Sequence, residues 1–444
     1  MIKLKNSKIF VLGMARSGYE VSKYLSKYDN EIVVTDAKEQ ESSKVQELES
    51  LGIKVVITDK PKELLNNTYN VVIKNPGIKY TNPLIVKANS LSIPVINEVE
   101  AASYFFPENL QVIGVTGSNG KTTTTNLINE MLKAAGKKVI MAGNMGIPVC
   151  SVLNDLDSDT ILLLEISIQQ LCNMNHFKTN VSVLTNLTPT HIDFLDTYEN
   201  YKNTKKRIFN NHTDKDIAIL NLNNNDEIEL TKDIKSHKVY FSSTCNTDIC
   251  INDDYITYFG EKIIKLEDIK LQGMHNYENA CCAIGAVKHY NVDNAAIIKV
   301  LKEFGGVEHR LEYVRTLNNV EYYNDSKATN TVSTTIALKA FNKPTILIMG
   351  GLDRGHSFEP LNDYMKNVKL VVCYGQTKNR IEKWADSLNI AVKVVDNLHD
   401  ATMYANSKAL SGDVILLSPA CASWDQYKCF EDRGTEYKTI VNGL

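Results

Sequence analysis

The chain has 444 residues, of which 43% are hydrophobic and 23% are charged, and its formal net charge is −3. This length allows about three domains, and the charge excludes the broad basic surface that binds nucleic acid. Since no apolar run approaches the roughly 20 residues that cross a bilayer, we expect a cytoplasmic protein without a membrane segment. The nine cysteines form no C-x-x-C pair, which favours reduced thiols over a zinc site or a disulfide framework.

The first hundred residues alternate short apolar runs with amphipathic segments. We predict strands at 9–12, 31–36, 53–57, 71–73 and 94–96. This rhythm predicts a parallel α/β sheet. The run from Gly13 to Gly18, with Asp36 at the end of the second strand, is similar to a dinucleotide-binding turn. Ala15 stands where that turn needs glycine, so another nucleotide part is favoured over NAD or FAD.

A proline break at Pro107 predicts the first domain boundary. The apolar run 111–113 then leads into a Gly-rich segment at 114–124, followed by apolar residues at helical spacing. Strand, loop and helix in this order predict a phosphate loop, in which Lys121 adds charge and the Thr122 hydroxyl can reach Mg²⁺. A strict match fails because Val115 replaces a glycine, and a simple tight turn is the alternative.

The rest of the chain returns twice to an α/β pattern. Strands at 160–164 and 181–186, with a polar stretch at 210–272, predict a mixed sheet with an antiparallel annex. Further strands at 345–349, 370–373, 392–395 and 414–417 predict a doubly wound domain. The predicted α/β domains are a Rossmann-like domain (1–107), a central ATPase-like domain (108–307) and a Rossmann-like C-terminal domain (308–444).

Several segments in this order resemble the Mur ligase family, most closely its D-glutamate-adding members. The strongest are 417–434, beginning Leu-Ser-Pro-Ala-Cys-Ala-Ser-Trp-Asp, and 323–330, reading Tyr-Asn-Asp-Ser-Lys-Ala-Thr-Asn. Weaker matches lie at 74–78, 143–146, 275–279, 309–312 and 350–355. The resemblance covers the whole chain. It implies an ATP-dependent ligase that adds D-glutamate to UDP-N-acetylmuramoyl-L-alanine through an acyl phosphate, in cytoplasmic peptidoglycan precursor synthesis.

The resemblance implies roles for individual residues around ATP and Mg²⁺. The residues implied to be catalytic are Lys121, Glu165, His191 and Lys205. Those implied to bind the metal are Thr122, Glu165, His191 and a carbamylated Lys205. ATP contacts fall on Gly117, Ser118, Asn119, Gly120, Lys121, Thr122, Thr123, Asn276, Asn279, Arg310, Asp325 and Lys327. Without the resemblance, Glu165 could be a solvated strand end, Lys205 part of a basic helix face, and Asn276 a helix cap.

It also implies the two remaining substrate sites. The residues implied to bind the UDP-sugar are Gly13, Ala15, Arg16, Ser17, Gly18, Asp36, Asn75, Gly77, Asn144, Ser167 and His191. Glutamate falls to Thr329, Arg354, Ser423 and Phe430, although surface roles for Arg354 and Ser423 are an alternative. A monomer is the family expectation.

The chain departs from the family pattern near Glu165. Ile168 replaces a hydroxyl residue, Gln169 replaces an aromatic one, and Thr190 stands where many relatives have Asp. Three alternatives stay open: a folylpolyglutamate-synthase-like ligase, a paralogue that uses L-glutamate, and a catalytically silent nucleotide-binding protein. The 418–423 run argues against the first, and the intact Lys121, Glu165, His191 and Lys205 argue against the last.

Overall fold

The computed structural model describes residues 2–189, 192–252 and 254–444. The chain divides into two compact units, Met1–Phe304 and Gly305–Leu444. Over the described residues its strands form one five-stranded, one nine-stranded and one six-stranded sheet. In the same part of the chain, no helix combines the length and the apolar character that crossing a membrane requires.

The first sheet is parallel and has the strand order β3-β2-β1-β4-β5. Its elements are β1 (Lys8–Leu12), α1 (Arg16–Leu25), β2 (Glu31–Asp36), α2 (Ser42–Ser50), β3 (Lys54–Ile57), β4 (Val71–Lys74), α3 (Pro83–Ser90), β5 (Val95–Ile96) and α4 (Glu98–Ser103). Leu12 is in register with Thr35 on one side and with Lys74 on the other. The loops that follow β1, β2 and β4 therefore meet at one edge of the sheet, where ligands of such folds bind.

The second sheet has the order β14-β13-β12-β11-β10-β9-β6-β8-β7. Its elements are β6 (Gln111–Thr116), α5 (Lys121–Ala134), β7 (Val139–Gly143), α6 (Val149–Val152), β8 (Ile161–Glu165), α7 (Ile168–Leu171), β9 (Val181–Leu184), α8 (Ile192–Leu195), α9 (Tyr198–Lys206), β10 (Ile217–Asn221), α10 (Asn225–Thr231), β11 (His237–Ser242), β12 (Ile249–Asn252), β13 (Tyr255–Tyr258), β14 (Glu261–Lys265), α11 (Met274–Lys288) and α12 (Asn294–Glu303). Strands β6 to β12 pair in parallel, whereas β12, β13 and β14 pair antiparallel. The predicted antiparallel annex is confirmed.

Helix α4 joins the two sheets of the first unit through buried polar contacts. Asn97 Nδ2 donates to the Gln170 carbonyl at 2.5 Å, and the Glu100 carboxylate accepts from the backbone N–H groups of His176 (2.7 Å) and Phe177 (2.9 Å). One apolar cluster also runs from the first sheet into the second. These contacts place both sheets in one compact unit.

The third sheet has the order β15-β16-β20-β17-β18-β19, parallel except for the β15–β16 pair. Its elements are β15 (Glu312–Leu317), β16 (Val320–Asn324), α13 (Thr331–Lys339), β17 (Thr345–Gly350), β18 (Val368–Tyr374), α14 (Lys378–Ser387), β19 (Ala391–Val394), α15 (Leu398–Lys408), β20 (Val414–Leu417) and α16 (Phe430–Asn442). Separate apolar clusters contain alternate residues of the same strands, so both faces of this sheet are covered. The doubly wound prediction is confirmed.

Candidate active site

The Gly-rich loop joins the end of β6 to the start of α5. Gly117 has φ +146°, and a Cβ built there would lie 2.0 Å from Thr185 Oγ1, so only glycine fits. Thr185 Oγ1 donates to the Asn119 carbonyl at 2.5 Å, and the Asn119 N–H donates to Asn186 Oδ1 at 2.9 Å. Residues that follow β9 therefore brace the loop. This geometry is that of a phosphate loop at a helix N-terminus rather than of an isolated turn.

The charged and hydroxyl groups of the loop lie at the first turn of α5. Lys121 Nζ donates to the carbonyls of Gly117 and Ser118, both at 2.9 Å. The Ser118 hydroxyl lies 2.8 Å from the Tyr201 hydroxyl of α9. Thr122 is buried and Thr123 half-buried in the same turn. The lysine is thus held against the backbone that would surround a phosphate.

Lys205, near the end of α9, contacts the residues at the start of the same loop. Its side chain is only 1% exposed, and its Nζ donates to Thr116 Oγ1 at 2.8 Å and to the Gly117 carbonyl at 3.0 Å. Burial, and then the charge of Lys121, lower the pKa of Lys205 well below its ordinary value, while Glu165 opposes this. A solvated basic helix face is therefore excluded. The lowered pKa favours the neutral amine, which is the form that reacts with carbon dioxide.

Glu165 ends β8 and is 3% exposed, which excludes a solvated strand end. Its Oε1 accepts from Asn144 Nδ2 at 2.8 Å, whereas its buried Oε2 has no hydrogen-bond partner among the described residues. A buried carboxylate oxygen without a partner is costly unless a cation or proton meets it. Together with the Thr122 hydroxyl, these oxygen donors suit Mg²⁺. His191 and Thr190 lie outside the described residues.

The two predicted adenine-side amides differ in position. Asn279 is buried on α11, accepts from the Thr124 hydroxyl at 3.3 Å, and would lie 2.2 Å from a Cβ at Gly120. Asn276 Nδ2 donates to the Gln272 carbonyl at 2.9 Å. The N-cap of α11 is Gly273, so Asn276 is not the helix cap. Asn279 is hydrogen-bonded to the phosphate-loop helix, whereas Asn276 is hydrogen-bonded to the residue before its own helix cap.

Two cavities open in the first unit, one at the edge of the first sheet and the other between residues of the first and second sheets. One, of about 570 Å³, is lined by Gly13, Asp36, Asn75 and residues of the 58–63 loop, among others. The other, of about 400 Å³, is lined by Arg16, Ser17, Asn75, Pro76, Gly77, Glu98, Gly143, Asn144, Gly146, Pro148, Ser167, Gln169 and Gln170. Asn75 lines both. The structure thus places most residues predicted for the UDP-sugar around two neighbouring cavities.

The turn after β1 explains the positions of Asp36 and of two further residues of this predicted set, Gly18 and Ala15. The Met14 N–H donates to Asp36 Oδ2 at 2.8 Å, so the carboxylate binds the turn itself. Gly18 lines neither cavity; a Cβ on it would lie 1.8 Å from the Gly13 carbonyl. Ala15 is the exposed N-cap of α1 and is also absent from both linings. Gly18 and Ala15 shape the turn rather than the cavity walls.

In the second unit, Asp325 follows β16 and is buried. Its Oδ2 accepts from the Ser418 hydroxyl at 2.8 Å and its Oδ1 from the Leu311 N–H at 3.1 Å. Burial raises the pKa of Asp325 to about 7, although these donors and the charges of Arg310 and Arg433 oppose it. Arg310 itself is exposed.

The predicted glutamate residues lie on neighbouring segments of this unit. Leu352 and Ala422 form an isolated antiparallel bridge, and two residues further along each segment the Arg354 guanidinium lies 4.7 Å from the centre of the Trp424 ring. Ser423, next in the chain to Trp424, is buried, whereas Arg354 is exposed.

A second part of the predicted set surrounds the start of α16. The Lys327 ammonium lies 5.7 Å from the centre of the Phe430 ring. Thr329, two residues beyond Lys327, is half-buried, and its N–H donates to the Lys327 carbonyl at 2.9 Å. Lys327, Thr329 and Phe430 thus belong to one local region.

Sequence reasoning missed the residue that connects these segments, Arg433 of α16. It is fully buried, and its guanidinium donates to Ser326 Oγ (2.9 Å), to the Ser326 carbonyl (2.8 Å) and to the Cys421 carbonyl (3.1 Å). A further contact, at 3.4 Å, reaches the Gly350 carbonyl. Arg433 therefore ties together the three segments that carry Lys327, Ser423 and Arg354. The one feature of the sequence that could have identified Arg433 is its position inside the 417–434 run, which resembles the family strongly.

Comparison with known proteins identifies the family of the chain. The Mur ligase middle domain matches residues 115–287, the Mur ligase glutamate ligase domain matches 309–421, and the MurD-like N-terminal domain matches 7–97. The UDP-N-acetylmuramoylalanine--D-glutamate ligase of Bacillus cereus (strain AH187) is 42% identical over 446 residues, covering 100% of this chain and 99% of the relative. The enzyme of the same name from Bacillus anthracis (strain A0248) is equally similar.

The chain belongs to the Mur ligase family. It is therefore a ligase with the three Mur ligase domains, and ATP dependence is a property of that family. Solved structures agree with the fold. MurC of Thermotoga maritima is 18% identical with a TM-score of 0.58 (98% of this chain, 99% of that chain), and a MurF structure from Acinetobacter baumannii is 14% identical with a TM-score of 0.57 (94% and 92%). The predicted family and fold class are confirmed.

The structure gives physical reasons for two of the departures from the Mur ligase pattern. Ile168, the first residue of α7, is 3% exposed and belongs to the apolar core of the first unit. Gln169 lines the 400 Å³ cavity. Ser167 and Gln170 form a capping box that starts α7. The lost hydroxyl is thus replaced by core packing, while the cavity wall gains an amide.

Proposed function

We propose that this Mur ligase joins D-glutamate to UDP-N-acetylmuramoyl-L-alanine, with conversion of ATP to ADP and phosphate. The observation that carries the proposal is the full-length match, at 42% identity, to relatives named for that activity. The phosphate loop, the buried Glu165 oxygen and the two neighbouring cavities of the first unit support it.

The reaction needs ATP because a carboxylate oxygen is a very poor leaving group. The substrate carboxylate attacks the γ-phosphorus, the bond to the ADP oxygen breaks, and an acyl phosphate forms. The glutamate amine then forms a C–N bond at the acyl carbon, loses a proton, and phosphate departs. Two anions meet in the first step, so cationic groups must surround the transferred phosphoryl group.

We assign ATP binding first to the loop residues. The backbone of Gly117, Ser118, Asn119 and Gly120 surrounds the phosphates, with Lys121 at the β- and γ-phosphates and Thr123 in the first turn of α5. Asn276 and Asn279 are assigned to the nucleoside, and Arg310, Asp325 and Lys327 to further ATP contacts. Asn279 has the strongest structural support, since it touches α5 directly.

We assign Mg²⁺ to Thr122, Glu165, His191 and a carbamylated Lys205. When bound, the metal neutralises charge on the phosphates. The partnerless Glu165 oxygen fits this role. A carbamate on Lys205 would turn a side chain without oxygen atoms into an anionic oxygen donor, and the contact of Lys205 with the Gly117 carbonyl supports a position beside the phosphates.

We assign the UDP-sugar to the two neighbouring cavities of the first unit. Gly13, Ala15, Arg16, Ser17, Gly18 and Asp36 serve the uridine end, and Asn75, Gly77, Asn144, Ser167 and His191 the sugar and diphosphate. Glutamate falls to Arg354, Ser423, Phe430 and Thr329. An arginine can form two parallel hydrogen bonds to a carboxylate, and a hydroxyl can donate one more.

We propose domain boundaries at 107/108 and 307/308, and a monomer that works in the cytoplasm. The family profiles, which end at 97 and 287 and resume at 115 and 309, support these positions. Size-exclusion chromatography with light scattering tests the monomer, with about 50 kDa expected from a chain of 49.8 kDa.

The deciding experiment measures phosphate release and product mass with ATP, Mg²⁺ and UDP-N-acetylmuramoyl-L-alanine. Three reactions are compared: D-glutamate, L-glutamate and no amino acid. We expect the amide product with D-glutamate alone. Product with L-glutamate alone would show a paralogue, and phosphate release without any amide would contradict ligation of either amino acid.

A further inference from the structure

Lys74 ends β4 with a buried ammonium group that the assigned site does not use. The residue is 1% exposed, and burial lowers the pKa of Lys74 to about 8. Its Nζ donates to the carbonyls of Ile78 (3.0 Å) and Pro76 (3.1 Å) and lies 3.5 Å from that of Asn75. Burying an amine costs free energy unless the amine is hydrogen-bonded, and these carbonyls supply the hydrogen bonds that offset this cost.

The three carbonyls belong to one turn, Asn75–Ile78. The Ile78 N–H donates to the Asn75 carbonyl at 3.0 Å, and the Gly77 N–H donates to Asn75 Oδ1 at 3.3 Å. This turn forms walls of both cavities: Asn75 lines both, Ile78 lines the larger, and Pro76 and Gly77 line the smaller. Lys74 lines neither.

Converging carbonyl dipoles repel one another unless a donor lies between them. In this turn the Lys74 ammonium supplies that donor, although Lys74 itself lines neither cavity. Its removal would leave at least two carbonyls to find other partners, and the turn would rearrange to do so.

We propose that Lys74 is a positioning residue for the UDP-sugar, whose ammonium holds the Asn75–Ile78 turn in the shape that presents Asn75 and Gly77 to the ligand. The inference rests on the proposed function, because it takes these cavities as the UDP-sugar site. Lys74 acts through the turn and does not touch the ligand.

Three variants separate this role from a general effect on folding. Lys74→Met removes the donors and keeps the aliphatic stem, whereas Lys74→Gln keeps an uncharged donor. Lys8→Met is the control: Lys8 begins β1 at the opposite edge of the same sheet, its side chain is 28% exposed, and it pairs with Glu31 at 2.7 Å. Each protein is titrated calorimetrically with UDP-N-acetylmuramoyl-L-alanine, and its KM for ATP and thermal midpoint are measured.

We expect Lys74→Met to weaken binding of the UDP-sugar by about tenfold or more, the usual worth of hydrogen bonds to a charged group. Lys74→Gln should fall between this variant and the wild type. The KM for ATP should stay within about twofold of wild type in both, and Lys8→Met should bind like the wild type.

Unchanged affinity in Lys74→Met, or an equal loss of ATP and UDP-sugar binding, would overturn the proposal. If Lys74→Met shows no thermal transition, Lys74→Gln is judged by the same two constants. A wild-type protein that does not bind the UDP-sugar would overturn the proposed function and this inference with it. A wild type that binds, beside a Lys74→Met that binds equally, would overturn the inference alone.

Discussion

The phosphate loop of the first unit and the region of the second unit that we propose for glutamate, here called the glutamate region, are built in opposite ways. The loop is one continuous segment, whose shape is set by glycines and by backbone contacts to residues after β9. The glutamate region draws on three separate segments that a single buried guanidinium, Arg433, connects. A continuous site tolerates little change within it, whereas an assembled site depends on a residue that need not touch the ligand.

The largest effect should come from Gly117→Ala. The added Cβ would collide with Thr185 Oγ1, and the φ of +146° is unfavourable for alanine. Because displaced backbone donors no longer reach the phosphates, we expect ATP-dependent phosphate release to fall by about 10²–10³-fold. Steady-state kinetics with saturating D-glutamate measure it.

Gly136→Ala is the matched control for this prediction. Gly136 also has positive φ (+70°), but nothing lies within 4 Å of an added Cβ. Its activity should equal that of the wild type. Equal losses in the two variants would show that backbone strain, and not the close approach at the loop, sets the effect.

Arg433→Lys should give the next largest effect. Lysine cannot reproduce the fork that reaches Ser326 and Cys421 together, so buried carbonyls lose their donors. We expect a free energy of unfolding of the second unit lower by about 2–4 kcal/mol, and a KM for glutamate raised about tenfold. Denaturant titration and kinetics measure these. A KM for glutamate that stays at the wild-type value would contradict the role of Arg433 in assembling the region.

The pH dependence of stability tests the burial of Asp325. The pKa of Asp325 is about 7 in the folded chain and close to 4 in an unfolded one. Between these values the folded state binds more protons, so this group lowers stability as pH rises from about 4 to about 7. Asp325→Asn removes this cost, and its thermal midpoint should exceed that of the wild type at pH 8 by several degrees.

The difference between Asp325→Asn and the wild type should shrink towards pH 5, because the carboxyl group is then largely protonated in the folded chain. Calorimetry of both proteins at four pH values measures it. A constant difference across the range would contradict a raised pKa at this position.

The smallest effect should come from Trp424→Leu. The Arg354 guanidinium lies over the Trp424 ring, and both side chains are exposed. Since an exposed cation–π contact contributes about 0.5–1 kcal/mol, we expect the KM for glutamate to rise about two- to fivefold with kcat unchanged. A fall in kcat alone would contradict a role in orienting Arg354 for binding.

The comparison also explains which parts the sequence could predict. The three sheets follow from short apolar runs separated by turn residues, and the loop follows from neighbouring glycines, Lys121 and Thr122. These signals are local. The family resemblance, rather than any local pattern, supplied Glu165 and Lys205, and the structure then showed both to be buried.

The remaining features depend on contacts between distant residues. Nothing local in the sequence states that Thr185 and Asn186 brace the loop, that Arg433 connects three segments, or that Lys74 holds the 75–78 turn. Gly18 was predicted as a ligand contact, and only the structure shows that a Cβ on it would lie 1.8 Å from the Gly13 carbonyl, because helix α1 packs closely on the turn after β1.

The most direct test of the proposed ligation follows one oxygen atom. UDP-N-acetylmuramoyl-L-alanine labelled with ¹⁸O in its carboxylate is incubated with the protein, ATP, Mg²⁺ and D-glutamate, and both the phosphate and the nucleotide product are analysed by mass spectrometry. We predict one ¹⁸O in the released phosphate and a product heavier by one glutamate residue, because the carboxylate oxygen leaves with the phosphoryl group. Unlabelled phosphate, or labelled phosphate without the amide product, would contradict the account.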